Sequence, residues 1–391
     1  MNKKNICIVT EEFRPSFKGG IATWSTEISN YLHNRNYNIT VFLKKRGGIK
    51  KSFKINNLPY KIILIKGRDW AYFKKWYVMR AIFNYLKSHK KPIILSTNWE
   101  LSQGITFFKK YYKFSLITIM HGLEVTRLES EKYKKKIKSF NKTISLSDKV
   151  VSVSNYTKNK AESILNIDKK IDVIPNFVNI NSFYPINNKN LRKKYHLKKN
   201  DIVILSLSRL IRRKGHFISI DAIKRLTEKY SNIKYIIAGT GDKGYEKKLK
   251  SYVKKYNLDS YVYFLGYVSE DLKNEIYNLC DIYVMTSLPS DIYGSSEGFG
   301  ITFLEANACG KPVIGTNVGG ISDAIKNRFN GFLIKPNNSL ELEKKIINFI
   351  DNKSLYKSLS ENSIIHIKNF FDIKLIGKKF ESIIEELYDS L

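Results

Sequence analysis

Short apolar runs alternate with longer stretches of helical spacing along nearly the whole chain. The first run, Asn5 to Thr10 (NICIVT), is apolar on successive positions, as a strand buried on both faces requires. Comparable runs follow at Ile39–Leu43, Ile62–Ile65, Ile93–Leu95, Leu116–Met120, Val150–Val153 and Asp172–Ile174, with helical patterns between several of them, the first over Ile21–Leu32. This alternation predicts a parallel sheet covered by helices on both faces. The pattern then breaks at Pro175-Asn176-Phe177-Val178-Asn179, Pro185 and Asn187-Asn188-Lys189-Asn190, the best place for a linker. A second series runs through Ile202–Leu207, Tyr235–Ala238, Val262–Leu265, Ile282–Met285, Pro312–Gly315 and Gly331–Ile334, with helices near 215–230, 243–256 and 270–279. The last segment, Phe371–Leu391, is helical, with apolar residues at Leu375, Ile376, Phe380, Ile383, Ile384 and Leu387. The fold class is therefore α/β, with two doubly wound domains over residues 1–180 and 181–370, and the final helix is expected to pack back on the first. Such sheets bind ligands beyond the carboxyl ends of their strands, so a site is expected where the two domains face each other across a cleft.

Composition changes this picture in three ways. A chain of 391 residues with 43% hydrophobic and 13% aromatic content is long and apolar enough for two cores. Its 3 cysteines, Cys7, Cys280 and Cys309, are too scattered for a disulfide framework or a metal knuckle, which favours a reducing compartment. The amino terminus lacks the long apolar core and small-residue cleavage site of a signal peptide, and no stretch of about 18 uninterrupted apolar residues occurs. These features predict a cytoplasmic chain.

The net charge of +33 has three competing explanations: nucleic acid, an anionic membrane surface, or a surface built from Lys and Asn throughout. Lysines spread along the whole chain favour the third, and neither zinc-finger spacing nor an RNA-binding RNP pattern is present, so no nucleic-acid partner is expected. Residues 72–87 go further, mixing aromatics and bases at near-helical spacing, with Lys109-Lys110-Tyr111-Tyr112-Lys113 and Lys134-Lys135-Lys136 nearby in sequence. A basic face with aromatics suits an anionic leaflet. The plainer alternative is a helix burying Phe73, Trp76, Ile82 and Phe83 against a sheet.

The candidate chemistry centres on Ser296-Glu297-Gly298-Phe299-Gly300-Ile301-Thr302-Phe303-Leu304-Glu305-Ala306. Helical residues from Ile301 onward leave the amides of Phe299, Gly300 and Ile301 at an open helix N-terminus, which attracts phosphate. Glu305 lies about 7 Å along that helix at about 1.5 Å per residue, so the stretch offers a carboxylate at each end. A solvated acidic helix start is the plain alternative. Ser208-Arg209 closes one strand and Lys214-Gly215 opens the next helix, two cations placed to hold a diphosphate, unless they are further surface bases like Arg212 and Arg213. His121-Gly122-Leu123-Glu124 follows another strand end; a lone histidine there also reads as structural. Neither a G-x-G-x-x-G turn, a P-loop nor a G-x-S-x-G elbow is present. The six histidines form no ligand cluster and no Asp-x-Asp pair occurs, so no metal or other cofactor is expected.

Taken together, Gly19-Gly20, His121-Gly122, Ile174-Pro175-Asn176, Arg209, Lys214-Gly215, Gly266-Tyr267, Glu297 to Glu305 and Gly310-Lys311-Pro312-Val313 resemble the retaining GT-B glycosyltransferases of glycosyltransferase family four, the "group 1" enzymes. The resemblance spans nearly the full chain and is strongest from about 200 to 335. It implies two Rossmann-like domains and transfer of a sugar, with retention and without metal, from a UDP- or GDP-sugar to a glycan or lipid-linked acceptor in cell-surface polysaccharide synthesis. By that resemblance Arg209 and Lys214 hold the diphosphate, helped by the amides of Phe299, Gly300 and Ile301. Glu297 binds donor-sugar hydroxyls and Glu305 the ribose. Tyr267 lies at the base, His121 lines the sugar pocket, and Gly19 and Gly20 approach the diphosphate from the other domain. The chain departs from the commoner pattern at Phe177, where glycine is usual after Pro175-Asn176, and at Thr240 within Gly239-Thr240-Gly241-Asp242. A nucleotide-sugar epimerase on the same fold and a non-catalytic nucleotide-sugar or glycan binder remain alternatives. A peripheral position on the inner face of a membrane would fit the basic aromatic segment.

Overall fold

The structure, a computed structural model, describes residues 3–15, 19–45, 58–187, 190–289 and 296–391. Ser16-Phe17-Lys18 and residues 188–189 of the expected linker lie outside these. The chain divides into two compact units, one of Met1–Phe177 with Ile373–Leu391, the other of Val178–Asp372.

The first unit holds a seven-stranded sheet of β1 (Asn5–Thr10), β2 (Asn38–Lys44), β3 (Lys61–Ile65), β4 (Ile93–Ser96), β5 (Ser115–Met120), β6 (Lys149–Ser152) and β7 (Asp172–Val173), in the order β3-β2-β1-β4-β5-β6-β7. Every pairing is parallel. The central strands carry Val, Ile and Leu on both faces because helices cover both, and Ile6, Ile8, Ile94 and Ile117 are fully buried. Burying each such side chain stabilises the fold by roughly 1.5–3 kcal/mol. The last helix, Ile373–Asp389, belongs to this unit: Phe380 meets Trp24 edge-on at 5.5 Å, and Tyr31 donates to Glu381 at 3.2 Å.

The second unit holds a six-stranded sheet of β8 (Ile202–Leu207), β9 (Ile233–Ala238), β10 (Val262–Gly266), β11 (Ile282–Met285), β12 (Val313–Thr316) and β13 (Gly331–Ile334), in the order β10-β9-β8-β11-β12-β13, again all parallel. Its core gathers Ile204, Ile223, Tyr235, Ile237, Leu249, Ile282 and Ile314. Both units are thus Rossmann-like, and each sheet reverses its strand order once, between β1 and β4 and between β8 and β11. Successive crossovers diverge at such a point and leave a crevice beyond the carboxyl ends of the two strands. Helix Trp70–Ser88 does not follow the burial expected of an ordinary helix. Ile82 is buried, but Phe73 and Trp76 face solvent and Phe83 is exposed.

Candidate active site

In the second unit the loops beyond β8 and β11 are joined by backbone. After Leu207 the chain passes Ser208-Arg209, makes a 3-10 turn over Arg212–Lys214, and enters helix His216–Lys229 through Gly215 at φ 68°. A Cβ on Gly215 would lie 1.9 Å from the Thr286 carbonyl oxygen, so only glycine lets these loops touch. Thr286 Oγ1 donates to the Gly215 carbonyl at 2.8 Å, and the Leu288 amide donates to the Arg213 carbonyl at 2.8 Å. The loop bearing Glu297 is held in turn by the Gly320 amide, which donates to the Glu297 carbonyl at 2.8 Å.

These contacts bring three groups together. Glu297 Oε2 accepts from Lys214 Nζ at 2.5 Å and from Arg213 Nη1 at 3.0 Å, with only 11%, 12% and 17% of the Lys214, Arg213 and Glu297 side chains exposed. Burial alone would raise the Glu297 carboxyl, but the two cations overcome it and hold it at about 2. Lys214 is pushed below the ordinary lysine value by burial and by repulsion from Arg213 and Arg209, against the pull of Glu297. Arg209 is exposed and has no ion-pair partner among the described residues. Two cations therefore share one carboxylate with Arg209 unpaired nearby, an excess of positive charge that a bound anion would relieve.

Helix Ile301–Ala308 begins next to this cluster in sequence. Its N-cap is Gly300, at φ 97°, with no side-chain cap and no acidic residue in the first turn, and Phe299 is buried with its ring edge-on to Phe371 at 5.8 Å. The end is open to an anion on both counts. Glu305 lies deep, 2% exposed, where Oε2 accepts from the Tyr277 hydroxyl at 2.7 Å and Oε1 lies 3.5 Å from Lys273 Nζ. Gly266 closes β10 at φ 71°, and its carbonyl accepts from the Gly239 amide at 2.6 Å, leaving Tyr267 half exposed just beyond the sheet.

The remaining candidates lie at the same edge of the first unit's sheet. Gly19, at φ 146°, caps helix Gly20–Asn34 and accepts from the Thr23 amide at 3.0 Å; Gly20 is exposed at the helix start. His121 follows β5, half-buried, its ring edge-on to Trp24 at 5.4 Å. Its Nε2 has no hydrogen-bond partner among the described residues, and burial pushes the imidazole down to about 3, so it is neutral at physiological pH. The Glu124 carboxylate accepts from the amides of His121 at 2.6 Å and Gly122 at 3.4 Å. Burial nonetheless raises that carboxyl to about 7.

Of the residues singled out in the sequence, Lys214 and Glu297 are in contact, while Arg209, Tyr267, Glu305 and the Gly300 helix end stand at neighbouring points of one sheet's carboxyl edge. Arg213, grouped with the surface bases on sequence grounds, is instead half of the Glu297 ion pair. Lys273 and Tyr277 were not anticipated. Their i, i+4 spacing on helix Glu270–Leu279 puts them on one face, but that spacing does not name Glu305 as the partner. Among the described residues no group of three or more His, Cys, Asp or Glu side chains is arranged to hold a metal ion.

Comparison with known proteins gives a consistent picture. The family description "Glycosyl transferases group 1" matches residues 187–366, and "Glycosyltransferase Family 4" matches residues 18–182. An uncharacterized glycosyltransferase of Methanocaldococcus jannaschii, MJ1178, is 30% identical over 357 residues, covering 90% of each chain. Among solved structures, sucrose-phosphate synthase from Thermosynechococcus elongatus superposes with a TM-score of 0.85 at 18% identity over 100% of both chains. Anabaena Alr3699/HepE, solved in complex with UDP and glucose, superposes with a TM-score of 0.79 at 19% identity, over 98% of this chain and 99% of the other.

Proposed function

This chain belongs to the group 1 glycosyl transferases of Glycosyltransferase Family 4, with the GT-B fold, and from that premise we propose that it moves a sugar from a nucleoside-diphosphate donor to a glycan or lipid-linked acceptor with retention at the anomeric carbon. The observation that carries this reading is the excess of cations, Arg209, Arg213 and Lys214 against Glu297, beside an uncapped helix N-terminus. HepE, which shares the fold, binds UDP with glucose, and this supports a nucleoside diphosphate at that place.

In this reading the diphosphate lies against Arg209, Lys214 and the amides of Phe299, Gly300 and Ile301. Glu297 takes the hydroxyls of the donor sugar. Glu305, steadied by Tyr277 and Lys273, takes the ribose, and Tyr267 borders the base. The bond between the anomeric carbon and the diphosphate oxygen breaks, and the electron pair leaves with the phosphate. The acceptor oxygen bonds to the same face of that carbon and passes its proton to the departing phosphate. The cations stabilise the charge that develops there, an effect worth about 2.7–4 kcal/mol per preorganised group. On the family resemblance alone, neutral His121 is assigned to the donor sugar and Gly19 and Gly20 to the diphosphate. No step uses a metal, so turnover is expected to survive chelation by EDTA.

A thermal-shift series with UDP, GDP, ADP and CMP tests this. A diphosphate present at about 100 times its dissociation constant stabilises by about 2.7 kcal/mol. UDP or GDP should raise the melting temperature and CMP should not. If no nucleoside diphosphate shifts it, the donor assignment is wrong, and an epimerised donor formed without acceptor would overturn transfer as the reaction.

A further inference from the structure

From the outer face of helix Trp70–Ser88 and the turn that follows the next helix, we infer that the first unit docks on the surface of an anionic lipid bilayer. At about 100° per residue, Tyr72, Phe83, Trp76, Lys87, Arg80 and Phe73 fall within about 100° of arc, opposite Val78, Ile82 and Tyr85. The latter three are buried in the unit's core, whereas Tyr72 is 87%, Trp76 61% and Phe73 55% exposed. The helix thus has two apolar sides, and only one is used by the fold.

The outer side continues onto a second element. The Phe83 ring stacks on Phe108 at 5.9 Å and meets Tyr112 edge-on at 6.4 Å, and in the same cluster Phe107 and Tyr111, both well exposed, lie 5.9 Å apart. Lys87 extends over the Phe83 ring at 4.6 Å, which keeps its stem on the apolar surface and its charge at the rim. Leaving large aromatic rings in water is costly at about 25 cal/mol per Å² of apolar surface, and a patch of this kind rimmed by bases marks an interaction site.

Charge selects the partner. No Asp or Glu occurs from Trp70 to Trp99 or from Leu101 to Leu123, while Lys75, Arg80, Lys87, Lys90, Lys110 and Lys113 are exposed there. The intervening Glu100 is already paired with Lys74 at 2.6 Å and Lys136 at 2.7 Å. Asp69 is exposed at the N-cap of the helix, but the bases outnumber it, and an anionic leaflet matches a predominantly basic rim with Trp, Tyr and Phe at the headgroup level. The rings stand on a helix face rather than along a groove that tracks a strand, which favours a bilayer over nucleic acid. Among the described residues no helix is long and apolar enough to cross a membrane, so contact is at the surface. This docking goes beyond the donor-side reading and does not depend on it.

The protein carries its own reporter. Trp24, Trp70 and Trp99 are buried, and Trp76, the last of its 4 tryptophans, is the exposed one. Phosphatidylcholine vesicles containing phosphatidylglycerol should pellet the full chain at low salt and shift its tryptophan emission to the blue, and vesicles without phosphatidylglycerol should do neither. Arg80→Glu with Lys87→Glu should weaken sedimentation about tenfold or more, since each base near such a surface contributes substantially. Phe73→Ser with Trp76→Ser should weaken it comparably, Trp76→Phe should keep sedimentation and lose the shift, and Tyr263→Ser on the other unit should change nothing. All these side chains are exposed, so the melting temperature should hold. Absence of sedimentation, sedimentation indifferent to both double variants, or tighter binding to a single-stranded oligonucleotide than to the vesicles would overturn the inference. Sugar transfer to a soluble acceptor without vesicles reports on the proposed reaction separately, so either claim can fail alone.

Discussion

Glu124 in the first unit and Glu297 in the second show how one fold produces opposite chemistry. Each follows a strand's carboxyl end in a parallel, doubly wound sheet, and burial raises both carboxyls. Among the described residues the Glu124 carboxylate is held by backbone amides and is left at about 7, whereas Lys214 and Arg213 bring Glu297 to about 2. The first unit's edge also holds a neutral His121 against Trp24, while the second's carries an excess of cations. Wiring chooses the location of a crevice, and the side chains on two or three loops choose what it attracts.

The sharpest way to break that contrast is to remove a cation. Lys214→Ala should lower turnover at least about 100-fold with the fold retained, because a preorganised charge stabiliser is lost. Glu124→Gln, which keeps the acceptor oxygen for the His121 amide, should cost less than about tenfold. Steady-state kinetics on both variants, with circular dichroism as control, decide the matter, and near-wild-type turnover for Lys214→Ala would remove the proposed mechanism.

A second comparison concerns the glycines that shape the two edges. Gly215→Ala forces a Cβ against the Thr286 carbonyl at 1.9 Å and should destabilise by about 3 kcal/mol or more. Among the described residues Gly19→Ala meets Glu12 Oε2 at 3.5 Å, an ordinary contact, so it carries mainly backbone strain, on the order of 1–2 kcal/mol. Denaturant melts of the two variants measure the difference, and equal losses would show that the stitched loops of the second unit are not the more constrained.

The two carboxylates should also give stability–pH curves of opposite sign. Glu297 lies below its unfolded value of about 4.3, so its contribution is present above that pH and is lost as pH falls toward about 2. Glu124 lies above its unfolded value, so its contribution is present below about 4.3 and is lost as pH rises through about 7. Each limb has a slope of at most about 1.4 kcal/mol per pH unit. Glu297→Gln should flatten the acid limb and Glu124→Gln the neutral one; a variant that leaves its limb intact would show that the carboxylate is not its source. The smallest effect concerns His121 and His216, both held near 3 by burial, with Lys214 adding to the shift at His216. Their NMR resonances should not move between pH 8 and 5.

Much of this was legible in the sequence, for reasons that differ by element. The strands were legible because a strand buried on both faces must be apolar throughout, which leaves runs such as Ile202–Leu207. Lys214, Glu297 and Gly300 were legible through their spacing. Arg213 was not, because one base beside another carries no signal in a chain of charge +33. Lys273 and Tyr277 reach Glu305 only through the packing of two helices, which no local pattern records. The hydrogen bonds of Glu124 run to backbone amides and leave no mark in side-chain chemistry. Helix Trp70–Ser88 was ambiguous because two aromatic-bearing faces fit the same period, and only the fold decides which one turns inward.

The helix Ile373–Asp389 imposes an order of construction. The second unit is one uninterrupted span, Val178–Asp372, and leaves the ribosome whole. The first unit is begun earlier but lacks its closing piece until Ile373–Leu391 is made, and until then Trp24, which backs His121 on one side, has no Phe380 on the other. The half synthesised first is therefore the half completed last.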